Sequence, residues 1–269
     1  MNKILNYIEL FYIRLLKYNL KIILNNLNSK KNINKNLNYK EILFKLRKNG
    51  FVKIENFLNV NKCEEIIDLI NIYHKKNNHK IWKKDDNEGD LRLFGAEKID
   101  KLINEYYKNQ EISDIGNLYI KSPIHNVFTL AGKTSFTNKN NLGSGGGWHK
   151  DSINPSFKSM LYLTNVNSGD GNLQLIEDSN SFKNIIIINS EVKKNLLNTR
   201  FKNDEIEHLI IKFNLNIANV SGKAGTLILF DGSYIHRGSP IKSETRYALT
   251  NYFYMDIDVK KIKYPSPMI

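Results

Sequence analysis

The segment Gly147-Trp148-His149-Lys150-Asp151 sets an imidazole and a carboxylate two positions apart. In an extended chain alternate side chains share a face, so His149 and Asp151 point one way and Lys150 the other. A second imidazole, His236, arrives much later, in Phe230-Asp231-Gly232-Ser233-Tyr234-Ile235-His236. Two imidazoles and one carboxylate on one side of a metal leave the opposite positions open, which Fe(II) needs to bind a co-substrate and oxygen together. A His-x-Asp pair alone often arises by chance. Arg246, at the head of the apolar run Arg246 to Met255, strengthens it. Taken singly, such an arginine is more often a surface ion-pair partner. Beside a metal triad its guanidinium can grip an acidic co-substrate through two parallel hydrogen bonds.

Other polar residues carry weaker signals. His125 and Asn126 lie on an early strand that could line the mouth of a barrel, with core packing or a local hydrogen bond as the competing role. Trp148 should face away from the metal and pack. His74, His79 and His208 sit in polar or helical surroundings and receive no role. The tri-glycine Gly145-Gly146-Gly147 precedes a strand, whereas a phosphate-cradling loop needs a helix N-terminus after it. A hinge at the mouth of the site suits it better.

The elements that must position these residues fall into two textures. Beyond Leu118 come short β-rich runs, 126–130, 158–166, 172–176, 225–230 and 246–255, separated by Gly, Asn, Asp and Ser. That pattern predicts a sandwich or barrel of two facing sheets. The stretch 182–215 mixes apolar and charged helical segments and reads as an insertion between strands. The first half is helical with one early strand. A helix carrying Ile42, Leu43 and Leu46 should stop at Gly50, since glycine suits the left-handed conformation after a helix. Phe51 to Phe57 alternates like a strand, and Asn61 with Glu64 offers a helix N-terminus. Lys75 to Asp90 reads as an exposed loop, and Glu97 to Tyr107 as a further helix. Ile4, Ile8, Phe11, Leu15, Tyr18 and Ile22 line one face of an N-terminal helix. The Asn- and Lys-rich stretch from Asn25 to Asn38 reads as a linker. The expected division is therefore 1–38 as amphipathic helix and linker, and 39–269 as the catalytic domain.

Composition narrows the classes. With 269 residues, one catalytic unit and an appendage are expected, and 41% hydrophobic residues exclude wholesale disorder. The single cysteine, Cys63, excludes a disulfide scaffold and a Cys-rich zinc site, and fits a reducing cytoplasm. Charges interrupt residues 1–27 before any apolar run reaches the ~18 residues of a membrane span. That leaves a helix packed on its own domain or a second copy, or one lying on a membrane surface. The net charge of +13 could attract nucleic acid, but the lysines are scattered, so a solvated surface is the preferred reading.

The chain resembles the phytanoyl-CoA dioxygenase family of 2-oxoglutarate oxygenases over most of Gly50 to Tyr254. The resemblance is carried by Gly50-Phe51-Val52-Lys53-Ile54-Glu55-Asn56-Phe57-Leu58, by Gly147-Trp148-His149-Lys150-Asp151, by Gly225-Thr226-Leu227-Ile228-Leu229-Phe230-Asp231 leading to His236-Arg237-Gly238-Ser239-Pro240, and by Arg246-Tyr247-Ala248-Leu249-Thr250. It implies a mainly β fold with flanking helices, the double-stranded β-helix or cupin-like jelly roll. It also implies iron held by His149, Asp151 and His236, and 2-oxoglutarate held at its distal carboxylate by Arg246. Ser239 stands one place later than the family's serine, and Tyr162, Thr164 and Asn126 are further candidates for co-substrate contact. Ile176-Glu177-Asp178-Ser179-Asn180 departs from the family's usual Pro-Gly-Ser-His.

The expected activity is Fe(II)-, 2-oxoglutarate- and O2-dependent hydroxylation of a C–H bond in a small molecule, acidic or carrier-linked, with succinate and CO2 released. Asp151 favours hydroxylation, because halogenating relatives replace that carboxylate with a small residue. The alternatives are a silent 2-oxoglutarate-binding protein and a nucleic-acid-modifying oxygenase.

Overall fold

The computed structural model describes residues 12–13, 15–24, 38–77, 80–83, 89–137, 147–259, 262 and 264–269. Two antiparallel sheets face each other. The major sheet has seven strands in the order β1-β8-β5-β10-β4-β3-β2: β1 (Phe51–Ile54), β2 (Trp82–Lys83), β3 (Asp90–Phe94), β4 (Ile124–Thr134), β5 (Phe157–Tyr162), β8 (Leu227–Asp231) and β10 (Arg246–Met255). The minor sheet is β7-β6-β9, from β6 (Leu173–Ile176), β7 (Ile217–Val220) and β9 (His236–Gly238). This is the expected mainly β jelly roll with flanking helices.

Strand alternation assigns each side chain to a layer. In β8, Leu227 and Leu229 join the cluster under the helices, while Ile228 and Phe230 pack between the sheets with Tyr162, Leu173 and Val220. The outer cluster joins the sheet to α2 (Tyr39–Asn49), α3 (Val60–Lys76), α4 (Lys101–Tyr107) and α5 (Gln110–Ile120), through Leu46, Ile66, Ile70, Ile103 and Ile115. The minor sheet is covered by α6 (Phe182–Glu191) and α7 (Asn203–Phe213), whose Ile188, Ile206 and Leu209 meet Ile176 and Ile235. The segment read as an insertion is thus the minor sheet's cover.

Boundaries moved where local capping chemistry outweighed pattern. Helix α2 ends at Gly50 as expected, with φ +80° and its N–H donated to the Leu46 carbonyl. A Cβ on Gly50 would lie 2.8 Å from the Tyr234 ring. Helix α3 begins earlier than expected, because Asn59 rather than Asn61 supplies the cap and accepts from the Asn61 N–H. Strand β1 stops at Ile54, where a turn begins. The expected helix from Glu97 is split into a 3₁₀ turn, Ala96–Lys98, and α4, whose cap is Asp100. Helix α5 and strands β2, β3, β7 and β9 were not foreseen; β2 lies within Lys75 to Asp90, read as an exposed loop, because its residues pair with β3 in the major sheet.

Residues 15–24 form a helix, α1. Tyr18 is buried, Ile22 packs against the main core, and Lys21 Nζ reaches Asp258 Oδ1 at 2.5 Å. Asp258 lies in α8 (Asp256–Val259). Leu16, Leu20 and Ile23 on α1 are exposed. No helix among the described residues is long and apolar enough to cross a membrane. Ile4, Ile8, Phe11, nearly all of the proposed linker, His79, Gly145 and Gly146 lie outside the described residues.

Candidate metal centre

His149 does not sit in a regular strand, as alternation suggested. It forms an isolated antiparallel bridge with His236, the first residue of β9, through His149 N–H to His236 O at 2.9 Å and the reverse bond at 2.8 Å. The backbone itself therefore brings the two imidazoles together, with ring centroids 4.4 Å apart. Asp151 follows in a bend fixed by its N–H on the Gly232 carbonyl at 2.8 Å. The three ligand atoms all lie within 4.8 Å of one another. His149 Nε2 is 3.8 Å from Asp151 Oδ1, and His236 Nε2 is 3.5 Å from Asp151 Oδ2.

Protonation suits coordination. His149 Nδ1 meets the Gly147 carbonyl at 2.8 Å, and His236 Nδ1 meets the Tyr234 carbonyl at 2.9 Å. A nitrogen facing a carbonyl must carry the proton, so each Nε2 presents its lone pair to the centre. Burial, then the neighbouring His236, pushes the His149 imidazole down to about 3. Burial likewise holds His236 below its ordinary value, against the opposing pull of Asp151. Both rings are thus neutral. Burial works to raise the Asp151 carboxyl, but Lys158 and the two histidines outweigh it and hold it well below the usual carboxylate range. Its backbone lies open, while the side chain is 23% exposed. Two neutral imidazoles and one carboxylate form a donor set that fits Fe(II).

A cavity of about 250 Å³ runs from the triad between the two sheets. Its wall follows strand parity: Arg246, Ala248, Thr250 and Tyr252 from β10, and Lys158 and Met160 from β5. Arg246 lies at its buried end, donating from Nη1 to the Gly171 carbonyl and from Nη2 to Thr134 Oγ1 at 3.4 Å. Its Nε has no hydrogen-bond partner. Asp90, the nearby carboxylate, is already held by Arg92 in two bonds of 3.0 and 2.6 Å. A buried guanidinium left with an unused donor beside a cavity fits the carboxylate of an absent co-substrate.

The other candidates sit apart from this lining. Tyr162 donates to the Val220 carbonyl at 2.9 Å and accepts from the Leu173 N–H, which ties it into the core between the sheets. Thr164 Oγ1 accepts from the Tyr247 N–H at 3.2 Å. Ser239 donates to Asn172 Oδ1 at 2.8 Å. Asn126 lies at the far end of β4, donating to the Tyr107 carbonyl at 3.0 Å. Trp148 packs away from the metal centre, as expected, under the Arg237 guanidinium at 4.3 Å. His125 pairs with Asp256 and His208 with Glu191, both at the surface.

Lys158 was missed. Its ammonium is buried, 2.6 Å from Asp151 Oδ2 and 4.1 Å from the Tyr252 ring centroid. Burial works against its charge, but Asp151 outweighs burial and the pKa is raised. The available signal was parity: Lys158 shares its strand face with Met160 and Tyr162.

Solved structures of the same fold include the α-ketoglutarate-dependent epimerase SnoN from nogalamycin biosynthesis, in complex with Fe3+, α-ketoglutarate and nogalamycin RO. It is 12% identical with a TM-score of 0.59, over 80% of this chain and 82% of that one. HygX from Streptomyces hygroscopicus, with nickel and 2-oxoglutarate bound, is 11% identical with a TM-score of 0.58, over 81% and 87%. The carbocyclase SnoK is 13% identical with a TM-score of 0.56, over 90% and 97%. A search of the curated proteins finds no match. The profile of phytanoyl-CoA dioxygenase (PhyH), a family that uses Fe(II), 2-oxoglutarate and O2, matches residues 46–248. The triad and Arg246 all fall inside that match, which ends within β10 at Ala248, and the chain belongs to the phytanoyl-CoA dioxygenase family.

Proposed function

We propose that the protein is an Fe(II)- and 2-oxoglutarate-dependent dioxygenase that hydroxylates a C–H bond of a small molecule. The observation that carries this reading is the junction, in one cavity, of the His149–Asp151–His236 donor set with the unpartnered Nε of Arg246. His149, Asp151 and His236 hold the metal, and Arg246 grips the far carboxylate of 2-oxoglutarate. The bound iron supplies the oxidising chemistry, coupled to decarboxylation of 2-oxoglutarate to succinate. The protein's own part is orientation and exclusion of water. Phe230 packs edge-on against His236 with centroids 5.5 Å apart, and Lys158 restrains one oxygen of Asp151.

Hydroxylation rests on Asp151, whose carboxylate occupies the position a halide would need. The test is Fe(II)-dependent release of succinate, followed by product mass with 18O2 as oxidant. His149→Ala, Asp151→Ala and His236→Ala each abolish succinate formation, and full activity in the triple variant would end the proposal. A product that gains one labelled oxygen supports hydroxylation. One that gains none replaces it with an epimerisation or ring closure while leaving the Fe(II)/2-oxoglutarate reading standing. Arg246→Ala raises the KM for 2-oxoglutarate by roughly 30- to 4,000-fold, the 2–5 kcal/mol of a broken buried charge pair. Arg246→Lys recovers only part of that, since it lacks the planar fork.

A further inference from the structure

Asp151, Lys158 and Tyr252 are a party wall. On one side lies the cavity that reaches Arg246; on the other is a second cavity of about 490 Å³. The first is small, and 2-oxoglutarate with its metal takes its polar end. The second is within the ~300–1,000 Å³ typical of small-molecule sites, and it touches a metal ligand directly. Its roof is Tyr18 and Lys21 of α1 together with Asp258 and Ile262. All four fall outside residues 46–248, the span shared with the family.

We propose that this second cavity is the primary-substrate chamber, and that it takes an uncharged, hydroxylated small molecule with one apolar face. The proposal rests on the Fe(II)/2-oxoglutarate reading. Charge decides the ligand class. Among the described residues two lysines line the chamber and both are paired, Lys21 with Asp258 at 2.5 Å and Lys158 with Asp151 at 2.6 Å. Among the described residues an anionic substrate would meet two carboxylates and no unpaired cation, and burying an unpaired charge is costly. What remains is neutral: Ser152, Asn154, Ser156 and Tyr254 offer hydroxyl and amide groups. Opposite chemistry comes from Ile120, Phe157 and Phe253, an apolar wall suited to a ring face. An acidic or carrier-linked substrate, the expectation from the sequence, does not suit this lining.

The test uses the full chain loaded with Ni(II) and 2-oxoglutarate, whose own binding is followed by the metal-to-ligand absorbance band. Saturation-transfer NMR then compares 4-nitrophenyl β-D-glucoside with 4-nitrophenyl β-D-glucuronide, which differ only at C6, a hydroxymethyl group in the first and a carboxylate in the second. The expected result is binding of the glucoside at least about tenfold tighter than the glucuronide. Asn154→Trp, which fills the chamber, should remove that binding while the absorbance band persists. Asp258→Asn, which frees Lys21, should reverse the preference toward the glucuronide. A wild-type preference for the glucuronide, no binding of either probe, or glucoside binding indifferent to Asn154→Trp each overturns the proposal. Absence of the absorbance band in wild type instead overturns the 2-oxoglutarate reading, whatever the glucoside does.

Discussion

Two neighbouring lysines show how much an ammonium depends on its partner. Lys158 is buried but faces Asp151, and its charge is held. Lys150 is buried and donates to the Ser179 carbonyl at 2.8 Å, and burial pushes its pKa down to about 7, with Asp231 opposing. Between pH 7 and the unfolded lysine value near 10.5, the unfolded chain binds a proton that the folded chain has released. Stability from this group therefore rises with pH across that window. Lys150→Met removes a poorly compensated buried cation. It should raise Tm at pH 7 by a few degrees and flatten the rise toward pH 10; thermal melts at the two pH values check this, and a fall in Tm at pH 7 counts against it. At this scale the sequence was most legible where chemistry demands a side-chain type. The two histidines, Asp151 and Arg246 announced themselves. Lys158 did not, because a lysine inside Phe157-Lys158-Ser159-Met160-Leu161 reads as the polar half of an alternating strand until the facing sheet is known. Tyr162, Ser239 and Asn126 were drawn toward the site by position alone, but partners from distant parts of the chain hold them elsewhere.

Among elements, the turn after β8 governs the metal centre. Asp231 accepts from Tyr119 OH at 2.7 Å and from the N–H groups of Ser156 and Ser233 at 2.8 Å, which pins the turn. Gly232 then gives its carbonyl to Asp151, and a Cβ at this glycine would lie 2.3 Å from Asp151 Oδ2. Gly232→Ala should displace the carboxylate and weaken Co(II) binding by about 10- to 100-fold, as outer-shell changes do, without loss of fold. A Co(II) absorbance titration paired with a thermal melt reads both, and unchanged affinity contradicts the placement. The core strands were legible because apolar alternation is a strong local signal, and β10 was read to its full length. Strand β9 was not: its three residues are strand only because Leu173, Gln174 and Leu175 lie beside them. Helix α5 was overlooked behind α4, from which it is separated only by a short turn ending in the cap Asn109.

For the whole molecule, the charge of +13 is a source of self-repulsion. Exposed pairs such as Lys45–Glu41 and Lys101–Glu105 contribute little against it. Raising ionic strength from about 0.02 to 0.15 M shortens the screening length to about 8 Å. It should therefore raise Tm; a fall would show that attractive pairs dominate. The same titration against single-stranded DNA should give weak binding that vanishes at the higher salt, and persistent binding would favour the nucleic-acid reading.

The unused donor of Arg246 also reaches beyond catalysis. A buried guanidinium short of a partner lowers the stability of the empty protein, and under the proposed function a co-substrate that satisfied it would bind only the folded state. At a hundred times its Kd such a ligand adds about 2.7 kcal/mol. The protein's lifetime in a cell that degrades unfolded chains would then follow the supply of 2-oxoglutarate. Abundance and turnover would rise and fall together, with no regulator beyond one arginine.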